Sequence, residues 1–236
     1  MEILENALRR IGGLDEEAMR AASARQDRLT KPRGSLGVLE DIAVRIAGIT
    51  GDPRPSPGTK TVIVMAADHG VTSEGVSLYP PEVTGQMVAN LLAGGAAINV
   101  LARHAGAEVR VVDVGVAVPL EGEGLISRKI MAGTANMAAG PAMSCEAAVA
   151  ALEVGIEVAE AEIARGVRLL ATGDMGIGNT TAASAITACI TGLDAVEVTG
   201  RGTGMDDEGL ERKAAVVRRA LEVNSPDPAD ALDVLS

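Results

Sequence analysis

Residues 173–181 read Gly-Asp-Met-Gly-Ile-Gly-Asn-Thr-Thr, and this short run carries the strongest chemical signal in the chain. Glycines at 173, 176 and 178 let backbone N–H groups come close to an anion. The Thr-rich segment that follows reads as a helix start, where the positive end of the helix dipole favours negative charge. Asn179, Thr180 and Thr181 add side-chain hydrogen-bonding groups. Such a loop, Gly173, Asp174, Gly176, Asn179 and Thr180 among its residues, suits an anion; it also reads as a plain glycine turn closed by a Thr cap. The spacing is G-x-x-G-x-G, so it is not the dinucleotide fingerprint G-x-G-x-x-G. Gly58-Thr59-Lys60-Thr61 has the wrong order for a P-loop, and there is no G-x-S-x-G nucleophile elbow. A second glycine cluster, Gly200-Arg201-Gly202-Thr203-Gly204, precedes a helical pattern that carries Lys213. A lysine one or two turns into that helix reaches back to a phosphate as a point charge. The plainer alternative is a solvated lysine on an amphipathic face.

Other reactive residue types are sparse. Asp68-His69 suggests a metal ligand or an acid–base pair, yet the chain has only two His and no H-x-x-x-H or Cys/His cluster, so no protein-built metal site is expected. Asp68, Glu74, Glu82, Asp113 and Asp174 are the candidate pocket acids. Cys145 and Cys189 lie in helical contexts and read as packing residues. Tyr79 is the only aromatic side chain; beside a strand-end loop it either lines a pocket for a flat ligand or simply precedes the helix that starts at Pro80-Pro81-Glu82.

The elements that must hold these residues follow from periodicity. Residues 1–50 read as three short helices: Leu4, Leu8 and Ile11 share one face, Met19, Ala22, Gln26 and Leu29 a second, Leu39, Ile42, Ala43 and Ile46 a third. Between the last two, Ser35 is placed to cap the next helix. The Pro- and Gly-rich run at 51–58 marks the boundary between a small helical segment, 1–50, and a main domain, 59–236. There, continuous apolar runs at 61–66, 108–114 and 167–172 read as buried strands. Helical patterns at 82–104, 144–165, 180–190 and 205–223 separate or follow them, with Ser144 and Asp206 as N-caps. Residues 115–143 read as irregular. The fold class expected is α/β, a parallel sheet covered by helices on both faces in a Rossmann-like three-layer arrangement. Ligands bind such sheets beyond the carboxyl ends of the strands, where 67–71, 113–115 and 173–181 fall.

A net charge of −11 with no basic cluster argues against nucleic acid. The acidic N-terminus has no apolar signal core, and no apolar run reads as a membrane span. Two cysteines give no disulfide framework, and the chain reads as cytoplasmic.

Taken in order, several segments resemble one family, the nicotinate-nucleotide–dimethylbenzimidazole phosphoribosyltransferases of cobalamin lower-ligand assembly. They are Lys31-Pro32-x-Gly34-Ser35-Leu36-Gly37-x-Leu39-Glu40, Ala67-Asp68-His69-Gly70-Val71 with Glu74-Gly75-Val76-Ser77, Tyr79-Pro80-x-Glu82-Val83-Thr84-x-Gln86-Met87, Val112-Asp113-Val114-Gly115, Gly140-Pro141-Ala142-Met143 and 173–181. Arg33 and Asp174 depart from the family's more usual proline and glutamate. The resemblance implies transfer of phosphoribose from nicotinate mononucleotide to dimethylbenzimidazole, giving α-ribazole 5'-phosphate and nicotinate, with no metal or cofactor and in a homodimer. It places phosphate and ribose on 173–181 with Gly202 and Lys213, and the accepting base near Ser35, Tyr79, Gln86 and Met87. The catalytic general base, a glutamate, it places beyond Ser236, so the chain reads as C-terminally truncated. The alternatives are a nucleotide-binding paralogue or fragment without activity, and a phosphoribosyltransferase that uses another base.

Overall fold

The computed structural model describes all residues from Met1 to Ser236, which divide into two compact units: Glu2–Gly58, and Thr59–Ser236 with Met1. The smaller unit holds α1 (Glu2–Arg10), α2 (Glu16–Gln26) and α3 (Val38–Thr50). Asp15 caps α2 by accepting from the Ala18 amide at 2.9 Å. Small residues let α2 and α3 approach: Ala18, Ala22 and Ala47 are buried together, and a Cβ on Gly48 would lie 2.6 Å from the Met19 side chain. The helices are thus where periodicity puts them, but two buried faces are not. Leu8 and Ile11 are exposed, and so are Leu39, Ile42 and Ile46, because α3 turns its small residues inward and its large ones out. Ser35 does not cap α3 either. Gly37, at φ 55°, stands at the N-cap, and Ser35 sits in the preceding turn with its amide on the Pro32 carbonyl. That turn is tied by Glu40, which accepts from Lys31 Nζ at 2.6 Å and from the Leu36 amide at 3.1 Å.

The larger unit is built on four strands: β1 (Thr59–Ala67), β2 (Ala107–Gly115), β3 (Leu125–Ser127) and β4 (Val167–Met175). All pair in parallel in the order β3-β2-β1-β4. Period-two alternation sends Val62, Val64 and Ala66 to one face and Ile63 and Met65 to the other. On the first face they meet Val88 and Leu91 of α4 (Val83–Leu92) and Ala96, ahead of α5 (Ala97–Ala105). On the second they meet Val154 and Val158 of α6 (Cys145–Ala164), whose N-cap is Ser144. This is the expected three-layer α/β arrangement. Its core contains no aromatic ring, since Tyr79 is exposed.

Beyond β4 come α7 (Asn179–Thr191), α8 (Ala195–Val198), α9 (Asp207–Asn224), capped by Asp206, and α10 (Ala231–Leu235). The helical pattern at 82–104 is two helices and not one. Residues 83–105 do have the length and mean hydropathy of a membrane span, 23 residues at 1.3, contrary to the sequence reading. Gly94, at φ +75°, breaks them into helices of 10 and 9 residues, each well short of the roughly 20 needed to cross a bilayer. Buried Asn99 fixes the break, accepting from the Ala96 amide and donating to the Leu91 carbonyl, both at 3.1 Å.

Candidate functional site: a glycine loop and a buried lysine at the strand ends

Register brings the site together. Met65 pairs with Asp174 and Ala66 with Met175, so β1 and β4 end side by side and release 68–70 and 176–178 next to each other. The 176–178 loop is held from two directions. The Ile177 amide donates to Thr84 Oγ1 of α4 at 3.1 Å. Gly176 is pressed onto the end of β1, where a Cβ would stand 2.2 Å from the Ala67 carbonyl oxygen; only glycine fits against a main-chain atom at that distance. Gly178, at φ 91°, is the N-cap of α7 and supplies no side-chain cap. The first amides of α7 are taken up locally, Asn179 by the Gly176 carbonyl at 3.1 Å, Thr180 by Asn179 Oδ1 at 2.7 Å and Thr181 by the Gly178 carbonyl at 2.9 Å, so what the helix start offers an anion is the positive end of its dipole.

Opposite this helix start lies Lys213. It is 1% exposed and carried on α9, so it is not the solvated lysine of the plainer sequence alternative. Its Nζ donates to Thr180 Oγ1 at 2.7 Å and to the Gly200 carbonyl at 3.2 Å. An ammonium has three donors, so one is left over, and no carboxylate pairs with it. Burial lowers its pKa from the ordinary 10.5. An ammonium withdrawn from water without a counter-charge is costly unless an anion completes it. Gly202, at φ 53°, closes the same corner: a Cβ there would lie 3.2 Å from Lys213 Nζ and 3.3 Å from Thr180 Oγ1. Asp174, Gly176, Asn179, Thr180, Gly202 and Lys213 thus line one cleft, with Ser77 and Val76 on its rim. Gly173 lies one residue earlier, in β4 beside Val64.

The acids sort by partner. Asp68 is buried, and its Oδ2 accepts from the Ala117 amide at 2.8 Å. Asp113 accepts from the Val116 amide and lies 3.3 Å from Lys129 Nζ. Glu74 is bound by Asn136 and Arg219, which hold its carboxyl below the usual range. Glu82 is exposed at the start of α4. Only Asp174 of the five lines the cleft, with Oδ2 accepting from Asn179 Nδ2 at 2.9 Å. Of the residues expected around the base, Tyr79 and Gln86 are exposed and Met87 packs, partly buried, on the β1–α4 core. Ser35 belongs to the smaller unit.

Sequence reasoning did not assign His69, whose ring lies directly behind Gly176. The Asp-His-Gly motif was visible, but no spacing rule says which loop a ring at a strand end will support. Ser77, from the Glu-Gly-Val-Ser run, was also not assigned to this cleft.

A profile of the family described as "Phosphoribosyltransferase" matches residues 11–236. The enzyme named nicotinate-nucleotide–dimethylbenzimidazole phosphoribosyltransferase from Desulforudis audaxviator is 62% identical, over all of this chain and 67% of its own length. Its namesake from Roseiflexus castenholzii is 60% identical over the same shares. The solved structure of CobT from Thermus thermophilus superposes with a TM-score of 0.88 at 52% identity, covering 93% of this chain and 66% of that one. The chain therefore spans about two thirds of the length of these relatives. On the profile, these identities and the fold, it belongs to the phosphoribosyltransferase family that they represent.

Proposed function

We propose that this chain forms the nucleotide-binding part of an enzyme that transfers phosphoribose from nicotinate mononucleotide to dimethylbenzimidazole, yielding α-ribazole 5'-phosphate and nicotinate in cobalamin assembly. The observation that carries the reading is Lys213, a buried ammonium with no carboxylate partner and one free donor, set against the N-terminal end of α7. The names of the relatives supply the substrates.

In this reading the phosphate sits between Lys213, Gly202, Thr180 and the 176–178 loop, and Asp174 meets the ribose. Asn179 aims the Asp174 carboxylate, offsetting a side chain one methylene shorter than glutamate. A benzimidazole nitrogen then attacks the anomeric carbon as the bond to the pyridinium breaks, and that electron pair leaves with nicotinate. The pyridinium is a good leaving group, so the protein's task is mainly positioning. The ring N–H proton passes to a carboxylate base, which we propose is supplied from outside residues 1–236, because Asp174 is the one cleft acid and it is engaged with Asn179. Tyr79, Gln86, Met87 and Ser35 are proposed for the base pocket. A cytoplasmic homodimer completes the proposal.

Lys213→Met tests the phosphate assignment, since it keeps the stem and removes the charge. Calorimetry on nicotinate mononucleotide and nicotinate riboside is expected to show a large loss for the mononucleotide and little for the riboside. Equal loss for both would remove Lys213 from the phosphate.

A further inference from the structure

The nucleotide loop packs closely on His69 at Gly176 and more loosely at Gly178, where a Cβ would first meet Thr72 Cγ2 at 2.9 Å. A Cβ on Gly176 would lie 2.9 Å from both Cδ2 and Nε2 of His69, and one on Gly178 would lie 3.4 Å from His69 Cβ. The main chain of His69 is pinned, because its carbonyl accepts from both the amide and the hydroxyl of Thr72. Its ring makes no hydrogen bond within the chain. The ring lines the two apolar cavities on the far side of the loop, one beside Met143 and Leu152 and one beside Ala185 and Ile186. It does not line the cleft that holds Lys213. Asp174 lines one of these cavities as well as the cleft, and toward Lys213 itself His69 acts through the loop.

We propose that His69 is a positioning residue: its ring is the floor under Gly176, and it sets the gap between the glycine loop and Lys213. The inference rests on the nucleotide reading above and adds a residue to it. Burial keeps the imidazole pKa below the usual 6.5 despite the Asp174 and Asp68 carboxylates, so at neutral pH the floor is an uncharged ring. Asp233 and Cys189 face one of the same cavities. A fixed backbone, a flat ring and no polar tie make the contact one of shape.

The test uses the full chain, checked for folding by circular dichroism. His69→Ala is expected to weaken nicotinate mononucleotide binding about 10- to 100-fold, the scale on which an ångström of misplacement acts. Nicotinate riboside binding should move much less, a selectivity that a general loss of structure would not give. His69→Phe, a flat ring without nitrogens, is expected to recover most of the lost affinity. With only His69 and His104 in the chain, the imidazole NMR signals assign easily, and nucleotide should shift His69 and leave His104 in place. An unchanged affinity in His69→Ala, a His69→Phe no better than the alanine variant, or an unmoved His69 signal at saturation would each overturn the proposal. A wild-type chain that bound no nucleotide would overturn the functional reading itself, and this proposal with it.

Discussion

At the scale of single residues, the site turns on one buried cation with no carboxylate beside it. Because burial lowers the pKa of Lys213, the ligand-free protein loses this proton at lower pH than the phosphate-bound protein does. Binding of the mononucleotide therefore falls as pH rises through the free-state value, below 10.5. A Lys213→Met protein should show no such alkaline limb, with affinity near neutrality lower by about 10- to 100-fold, as for a lost charged hydrogen bond; calorimetry across pH reads both. Gly176→Val should abolish nucleotide binding, and even Gly176→Ala should cost about 1–3 kcal/mol of stability in denaturant titration. The glycine loop could be picked out by its residue types beside a helix start, and Lys213 because its helix follows a second glycine cluster. The burial of Lys213 was not, since amphipathic spacing does not say whether a long side chain turns toward a cleft or toward water.

Among the elements, the α4–α5 break shows what periodicity misses. Apolar spacing runs on through 82–104, and only the paired glycines and the buried amide of Asn99 divide it. Asn99→Ala leaves the Leu91 carbonyl and Ala96 amide without these partners, and should destabilise the larger unit by about 1–3 kcal/mol, measured as a lower urea midpoint. Strands and caps were easier to read. Ser144 and Asp206 cap their helices as their types imply, and three continuous apolar runs became three parallel strands. β3 went unread because three residues carry no period. The buried face of α3 was misread because Ala47 and Gly48 pack closely where larger residues gave the stronger hydrophobic signal.

For the molecule as a whole, the α/β class could be read from the alternation of strand and helix patterns and the family from the ordered motifs, while the assembly of the cleft needed strand register. The proposed division of labour, with nucleotide held by this chain and the proton acceptor supplied from elsewhere, predicts a rate effect. Joined to sequence that brings it to its relatives' length, the protein should turn over about a hundred- to ten-thousand-fold faster than the 236-residue chain, the usual contribution of a general base. The assay is α-ribazole 5'-phosphate formation at saturating nucleotide and dimethylbenzimidazole. Equal rates would return the role to an acid within residues 1–236, with Asp174 the first to replace by Asn.

The contact between Gly176 and the Ala67 carbonyl also limits which changes the protein can undo. A side chain at 173 would meet Val64 Cγ2 at 3.1 Å, so a smaller residue at 64 can relieve it, and Gly173→Ala should yield second-site suppressors there. A side chain at 176 meets a main-chain oxygen, which every amino acid carries, so no replacement at position 67 removes the obstacle. A selection that starts from Gly176→Ala should recover true revertants in place of side-chain suppressors at position 67.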